Sequence, residues 1–152
     1  MHYLHREQVI PADIGRVWEY FSNPKNLNEI TPADMHFQIV AGGNEKMYEG
    51  QIIEYRVEFI RGVRSLWLTE ITHAREYVYF VDEQRAGPYR FWHHEHKFQQ
   101  VDEGIHMTDL VTYEAPFGIW GDLVTILWIR RKLEAIFDFR RRKIAELFGE
   151  SR

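Results

Sequence analysis

The chain has 152 residues, no cysteine and a formal net charge of −4 at neutral pH. This length is typical of one domain, and the lack of cysteine excludes disulfides, thiolate metal sites and a cysteine nucleophile. The negative charge indicates no whole-protein attraction to nucleic acid, so we expect no nucleic-acid partner.

No apolar stretch of the sequence is long enough to cross a membrane. The longest run, Leu123 to Ile129, is far shorter than the roughly 20 residues that a transmembrane helix needs. The N-terminal segment MHYLHREQVI lacks the apolar centre of a signal peptide. We therefore expect a cytoplasmic protein with no stable insertion into a membrane.

The N-terminal part of the chain predicts a strand followed by two short helices. Tyr3 to Ile10 alternates loosely and ends at a proline, which indicates a strand at a sheet edge. From Pro11 to Pro24, apolar residues share one helical face and Ser-Asn-Pro ends the helix. Residues 25–30 predict a second helix. Helices this short need a sheet to dock on.

From Met35 to Ala115 the apolar period changes to two, which is typical of β-strands. Turn residues divide this stretch into six predicted strands, at 36–40, 51–60, 63–72, 76–84, 89–101 and 105–115. Short turns between successive strands predict one curved antiparallel sheet. Its alternating pattern leaves one apolar face that another element must cover.

The segment from Phe117 onward is the one long stretch with helical periodicity. Apolar residues and two arginines recur three or four residues apart, at Ile119, Leu123, Ile126, Arg130, Leu133, Phe137, Arg140, Ile144 and Leu147. We predict one helix of roughly 28 residues, about 42 Å long, that ends at Gly149. This helix is the predicted element long enough to cover the sheet.

The two halves of this helix differ in character. Before Arg130, the sequence LVTILWI is apolar on nearly all sides, so it must meet core, a ligand cavity or a partner. If it meets a partner, the protein is an interaction module, and Trp128 and Ile129 form the outer face of a homodimer. After Arg130 the helix is amphipathic, and Arg140 to Lys143 predict a solvated end.

Two stretches of the sequence carry a family resemblance. The first, QVIPADIGRVWEYFSNPKNLNEITP, has an apolar strand and a proline that lead into a Val-Trp-x-x-Phe helix. The second is FVDEQRAGPYRFWHHEHKFQQVDEG, followed by HMTDLVTYEAPFG. Together with the order of elements, they resemble the SRPBCC superfamily of START-like, helix-grip domains. Birch-pollen allergen and polyketide cyclases belong to this superfamily, and the second stretch looks like its bacterial ligand-binding branch.

The resemblance covers nearly the whole chain and implies an α+β helix-grip fold over residues 1–152. A curved antiparallel sheet of about seven strands would surround the long C-terminal helix, with a deep, largely apolar cavity between them. Lipids, sterols and aromatic polyketides are the usual occupants of such cavities. A minority of relatives are cyclases, aromatases or dehydratases, because one fold hosts many functions.

Two functions follow from the resemblance. The favoured one is a protein that binds a small hydrophobic or aromatic molecule in the cavity. The alternative is an enzyme of the cyclase or dehydratase type, in which a pocket histidine acts as general acid or base. In that case Arg130 or Tyr55 would stabilise an enolate-like oxygen.

The segment RFWHHEHKF, residues 90–98, is the densest group of titratable side chains. On a strand, Trp92, His94, His96 and Phe98 share one face, and the two flanking rings predict that this face points inward. The imidazoles would then line the cavity and orient a phenol or carbonyl group. Alternatively, cross-strand hydrogen bonds satisfy both histidines near the rim of the sheet.

Other candidate residues depend on how the strands pair. Asp82 or Gln84, on the predicted strand 76–84, would meet the inward histidines if a simple hairpin joins that strand to the strand at 89–101. Asp109 is a candidate buried acid. Arg130 would reach the surface, pair with an acid or bind an anionic ligand head. The candidate ligand-binding residues are Tyr55, Trp67, Gln84, Trp92, His94, His96, Asp109, Ile126 and Arg130. The candidate catalytic residues are His94, His96 and Asp109.

A metal site is a further alternative. Two histidines two positions apart on one strand face can share an ion, as can His93 and Glu95 on the opposite face. A catalytic zinc site generally needs three protein ligands, and the third would come from His36, His73, His106 or an acid. No pattern in the sequence places one of these nearby, so we expect neither a metal nor another cofactor.

Overall fold

The computed structural model describes residues 1–115 and 123–150, and for 123–126 it describes the backbone alone. Among these residues, seven strands form one curved antiparallel sheet. The strands are β1 (His2–Ile10), β2 (Gln38–Ala41), β3 (Ile52–Ile60), β4 (Val63–Arg75), β5 (Tyr79–Ala86), β6 (Phe91–Val101) and β7 (Gly104–Glu114). Their order in the sheet is β1-β7-β6-β5-β4-β3-β2, so β1 is an edge strand, as its sequence predicts.

The first helix, α1 (Ile14–Phe21), begins at a side-chain cap. Asp13 Oδ1 accepts a hydrogen bond from the backbone N–H of Arg16 at 2.9 Å, which satisfies one of the free donors of the first turn. Two short 3₁₀ turns follow, at Pro24–Asn28 and Ala33–Met35.

The second helix, α2 (Leu123–Phe148), is the long C-terminal element. It ends where the sequence predicts, because Gly149 takes a left-handed φ of 95° and donates its N–H to the Ala145 carbonyl at 2.8 Å. None of the described helices combines the length and apolar character needed to span a bilayer. The predicted stripe residue Ile119 lies outside the described residues.

The predicted order and type of elements are confirmed, although several bounds differ, two of them for clear structural reasons. The predicted helix at 25–30 is a 3₁₀ turn that begins at Pro24. The strand predicted at 76–84 begins instead at Tyr79, because Tyr77 takes a φ of 63° and turns the chain. This turn lets Arg75 pair with Tyr79 across the β4–β5 hairpin, so pairing overrides the strand propensity of the intervening tyrosine and valine.

The core lies between one face of the sheet and the two helices. Leu133 and Phe137 of α2 pack against Val57 and Val111 of the sheet. A second cluster joins α1 to the sheet and to the end of α2, with members Val17, Trp18, Phe21, Phe98, Ile105 and Ile144. Alternation in the strands therefore sorts apolar side chains onto the face that the helices cover.

The β6–β7 hairpin packs closely against the end of β1. Gly104 has a φ of +135°, and a Cβ atom there would lie 2.1 Å from the carbonyl oxygen of Ile10. Gly62, at the β3–β4 turn, also has a positive φ of +80°, but its Cβ position is open. A side chain at Gly104 would therefore clash with the backbone of β1, in addition to the strain of a positive φ.

We expect Gly104→Ala to lower the free energy of unfolding more than Gly62→Ala does. The second substitution should cost about 1–2 kcal/mol, the usual penalty for a non-glycine residue in the left-handed region. Urea unfolding of both variants measures the difference. Equal losses would contradict the close approach of the hairpin to β1.

Candidate functional site

A cavity lies between the covered face of the sheet and α2. Its volume, as the space open to the centres of water molecules, is about 130 Å³. A single buried water needs only about 10–15 Å³ by the same measure. The cavity therefore has room for more than isolated waters.

Most of the cavity wall is aromatic or aliphatic. Strands β3 and β4 supply one side and α2 supplies the other, with wall residues that include Tyr55, Val57, Phe59, Trp67, Leu133 and Ile136. Polar side chains reach the wall from β5, β6 and α2, namely Asp82, His94, His96 and Arg140. An apolar wall with a few convergent polar groups is the usual composition of a small-molecule site.

The inward face of β6 carries Trp92, His94, His96 and Phe98, all of which are buried. His93, between them on the outward face, is half-buried and contacts Glu83 at 2.8 Å. The predicted orientation of this strand is therefore confirmed.

Two carboxylates close a cluster around the two inward histidines. Asp82 Oδ2 lies 2.9 Å from His96 Nε2 and 3.3 Å from His94 Nδ1. Asp109 Oδ1 forms a hydrogen bond of 2.8 Å with His94 Nε2. It also lies 2.9 Å from His96 Nδ1, at an angle that does not make a hydrogen bond. We call Asp82, His94, His96 and Asp109 the His–Asp cluster.

Aromatic rings hold the cluster in place. The His96 ring stacks on Phe80, with centroids 4.1 Å apart and planes at 22°. The His94 ring meets the edge of Phe137 at 5.5 Å, and the two imidazole centroids are 3.7 Å apart. Trp92 donates its Nε1–H to Asp82 Oδ1 at 3.1 Å. Each member of the cluster is thus fixed by packing or by a hydrogen bond.

Both carboxylates of the cluster are ionised. Burial by itself would raise the pKa of the Asp82 carboxyl, but the charge on His94 and the hydrogen bond with His96 outweigh burial and lower that pKa. Burial also opposes ionisation of Asp109, yet its contacts with His94 and His96 hold the pKa of this carboxyl well below its usual range.

The two imidazoles shift in opposite directions. Burial lowers the pKa of His94, and the neighbouring His96 lowers it further. Burial would also lower the pKa of His96, but its contacts with Asp109 and Asp82 outweigh burial and raise it. Because the rings are in contact, they titrate as one unit, in which His96 holds a proton more readily than His94.

Arg140 brings a buried cation to the cavity from α2. Its side chain is nearly buried, with the residue 8% exposed, and its guanidinium carbon lies 4.8 Å from the centroid of the Phe137 ring. Its Nε has no hydrogen-bond partner among the described residues. A buried donor without an acceptor costs about 1–3 kcal/mol, so this position favours an acceptor on a bound molecule.

No family model matches the chain, and no curated protein matches it. Solved structures do match the chain. Protein CV1439 from Chromobacterium violaceum superposes with a TM-score of 0.73 at 11% identity, over 98% of this chain and 99% of that one. A START superfamily protein from Mycobacterium smegmatis gives 0.70 at 13% identity, over 97% and 99%. Major latex-like protein 151 from Panax ginseng gives 0.59 at 17% identity, over 90% and 95%.

This chain has the helix-grip fold. The resemblance to the SRPBCC superfamily, inferred from the sequence, is confirmed at the level of the fold. Proteins with this fold typically bind hydrophobic ligands. At these identities the likeness carries no activity, because one fold hosts many functions.

Most predicted site residues of this helix-grip chain meet at the cavity. Tyr55, Trp67, Trp92, His94 and His96 all line it. Asp109 stands behind the two histidines, in a smaller pocket on the far side of the cluster. The alternative that cross-strand contacts satisfy both histidines also holds in part, because each of them contacts a carboxylate on a neighbouring strand.

Two predicted residues lie elsewhere. Gln84 holds the β5–β6 turn: its Nε2 donates to the Tyr89 carbonyl at 2.6 Å and its Oε1 accepts from the Tyr89 N–H at 3.2 Å. Arg130 is exposed and pairs with Glu134 at 3.0 Å, one helical turn away. The expectation that Gln84 reaches the cavity is therefore wrong. For Arg130, the alternatives of reaching the surface and pairing with an acid hold, and its place among the ligand-binding residues is wrong. The side chain of Ile126 lies outside the described residues.

Arg140 is the site residue that sequence reasoning missed. The charged run from Arg140 to Lys143 indicates a solvated helix end, yet Arg140 is buried whereas Arg141 and Arg142 are exposed. The signal that could have identified it is its place on the apolar stripe. The described side chains of α2 that line the cavity run from Leu133 to Arg140, in the half after Arg130.

The first half of α2 shows one further difference from expectation. Leu127 and Trp128 are exposed, at 46% and 43%, but Ile129 is buried. Ile129 therefore belongs to the core and not to an outer face. A homodimer through Trp128 stays a prediction.

We expect Asp109→Asn to lower the free energy of unfolding by about 3–5 kcal/mol, because it removes a buried carboxylate that forms a hydrogen bond with His94 and lies 2.9 Å from His96. Urea unfolding in the presence of a chelator measures the loss. Asp102→Asn, at the exposed β6–β7 turn, is the matched control and should change stability by less than about 0.5 kcal/mol. A loss at Asp109 no larger than at Asp102 would contradict the charged state of the cluster.

Proposed function

We propose that this helix-grip protein binds a small, largely apolar or aromatic molecule, lipid-like or polyketide-like, between the sheet and α2. The cavity is the observation that supports this function. Protein interiors normally pack without voids larger than a water molecule, and each cubic ångström of empty cavity costs about 24 cal/mol of stability. A chain that keeps so large an apolar space gains stability when a ligand fills it.

The polar groups of the wall define how such a ligand would be oriented. The His–Asp cluster lies on the sheet side, and Arg140 lies on the helix side. An arginine N–H that lacks an acceptor forms its strongest hydrogen bonds with a carboxylate or another anionic oxygen. We therefore favour an apolar ligand that carries one acidic group.

The alternative, an acid–base enzyme of the cyclase or dehydratase type, uses the same cluster. His96 would serve as the proton donor and His94 as the acceptor. Of the two residues expected to stabilise an enolate-like oxygen, Tyr55 is at the wall and Arg130 is on the surface. Turnover stays a prediction.

Filling the cavity from β3 should weaken ligand binding. We expect Val57→Phe to reduce the affinity for the apolar dye 1-anilinonaphthalene-8-sulfonate by about tenfold or more, equivalent to about 1.4 kcal/mol, because the larger ring occupies the ligand space. Fluorescence titration measures the affinity. Ile60→Phe is the control, since Ile60 lies on the same strand but is 50% exposed.

Native mass spectrometry of the purified protein provides the independent check. A small molecule that is released on unfolding, and is lost in Val57→Phe but retained in Ile60→Phe, would support the proposal. Unchanged dye binding in Val57→Phe, together with no such molecule, would rule the cavity out as the binding site.

Arg140 should discriminate between acidic and neutral ligands. We expect Arg140→Gln to weaken the binding of decanoate by about 10–100-fold, the value of one or two hydrogen bonds to a charged group, and to leave decanol nearly unaffected. Calorimetric titration of both ligands measures the difference. Arg141→Gln, exposed on the next position of α2, is the control, and an equal loss for decanol would argue against an acidic ligand group.

A further inference from the structure

Three side chains at the cavity wall are arranged as a metal site would be. Asp82, His94 and His96 each present one ligand atom, and these three atoms lie within 4.8 Å of one another. Imidazole nitrogen with carboxylate oxygen is a common donor set for divalent first-row transition ions. The three residues come from adjacent strands, because the β5–β6 register places Asp82 directly opposite His94.

Two of the three separations between donor atoms fit a single ion. Asp82 Oδ2 lies 2.9 Å from His96 Nε2 and 3.3 Å from His94 Nδ1. Two neighbouring ligands, each about 2.0–2.2 Å from the ion, subtend about 90° in an octahedral site and about 109° in a tetrahedral one. They are then about 2.8–3.6 Å apart. Both donor pairs thus have approximately the separation of neighbouring ligands around one metal.

The residues behind these donors act as the outer partners that metal ligands usually have. The other ring nitrogen of His94, Nε2, forms a hydrogen bond of 2.8 Å with Asp109 Oδ1, and that of His96, Nδ1, lies 2.9 Å from the same oxygen without forming one. The second oxygen of Asp82 accepts from Trp92 Nε1 at 3.1 Å. A carboxylate behind a ligating histidine fixes its orientation and makes it a stronger ligand.

We propose that Asp82 Oδ2, His94 Nδ1 and His96 Nε2 bind one divalent first-row transition-metal ion, with Asp109 and Trp92 as outer supports. The two carboxylates would balance the charge of the ion while both imidazoles are neutral, the form in which imidazole binds metal. All three ligands line the cavity, so the remaining coordination positions face the ligand space. They would accept water or an oxygen atom of a bound molecule.

The sequence led us to expect no metal, and this proposal revises that expectation. Two histidines on one strand face provide two ligands, and the third is an acid, Asp82, from the preceding strand. The proposal does not depend on whether the cavity binds an apolar molecule, because the ion is held by protein side chains alone.

Titration of the chelator-treated full chain with Co²⁺ tests the proposal. We expect one Co²⁺ per chain, with visible absorption bands typical of nitrogen and oxygen ligands, and displacement by one equivalent of Zn²⁺. Mg²⁺ should not compete, because it prefers oxygen ligands. Calorimetry with Zn²⁺ provides the dissociation constant.

Four variants locate the ion. His94→Gln, His96→Gln and Asp82→Asn should each abolish one-to-one binding, and Asp109→Asn should weaken it by about 10–100-fold, as loss of an outer partner does. His93→Gln, on the outward face of the same strand, and His106→Gln, beside Glu7 on the surface, are the controls and should bind Co²⁺ like the unmodified chain. Thermal unfolding in chelator shows which variants are folded.

Proton NMR of the Co²⁺-loaded, unmodified chain gives a readout that needs no variant. Two imidazole N–H signals should appear far outside the normal range, since each bound ring keeps the proton that faces Asp109. The absence of Co²⁺ binding would overturn the proposal and leave a hydrogen-bonded cluster of two histidines and two carboxylates. Binding that persists in His94→Gln and His96→Gln, or is lost in His106→Gln, would also overturn it by placing the ion elsewhere.

Discussion

The arrangement of this protein depends on the register of three neighbouring strands. In β5, β6 and β7, Asp82 pairs opposite His94 and Asp109 pairs opposite His96, so four polar side chains stand together on one face of the sheet. A shift by one residue would move all of them to the other face. The buried histidines and carboxylates therefore require this register, and the aromatic residues around them fix the rings within it.

The cluster is tolerable in an apolar interior because its groups satisfy one another. Ionised carboxylates are costly to bury alone, but Asp82 and Asp109 each contact both imidazoles. Among the described residues, Nδ1 of His96 and Nε of Arg140 both lack a hydrogen-bond partner. The cavity thus presents carboxylates paired with imidazoles on the sheet side and an unsatisfied arginine donor on the helix side. An apolar molecule with an acidic end would complement this arrangement.

Sequence reasoning succeeded where a pattern depends on one element alone. Alternation identified the inward faces of the strands, including that of His94 and His96, and the helical period identified α2 and its end at Gly149. Sequence reasoning failed where contacts with neighbouring elements determine the conformation of a residue. Tyr77 has a strand-forming side chain, yet pairing between β4 and β5 turns it into the left-handed region. Gln84 shares a face with Asp82 in sequence, but the turn at Tyr89 binds its side chain.

The sequence by itself determined the order of elements, the buried face of each strand and the apolar stripe of the helix, because these follow from periods of two and 3.6 residues. Tertiary structure alone decided which acid meets which histidine and which arginine reaches the cavity. Arg130 and Arg140 lie on the same predicted stripe, but ten residues of helix turn them about 80° apart. Packing against the sheet sets the rotation of α2, so Arg140 is buried and Arg130 remains in solvent.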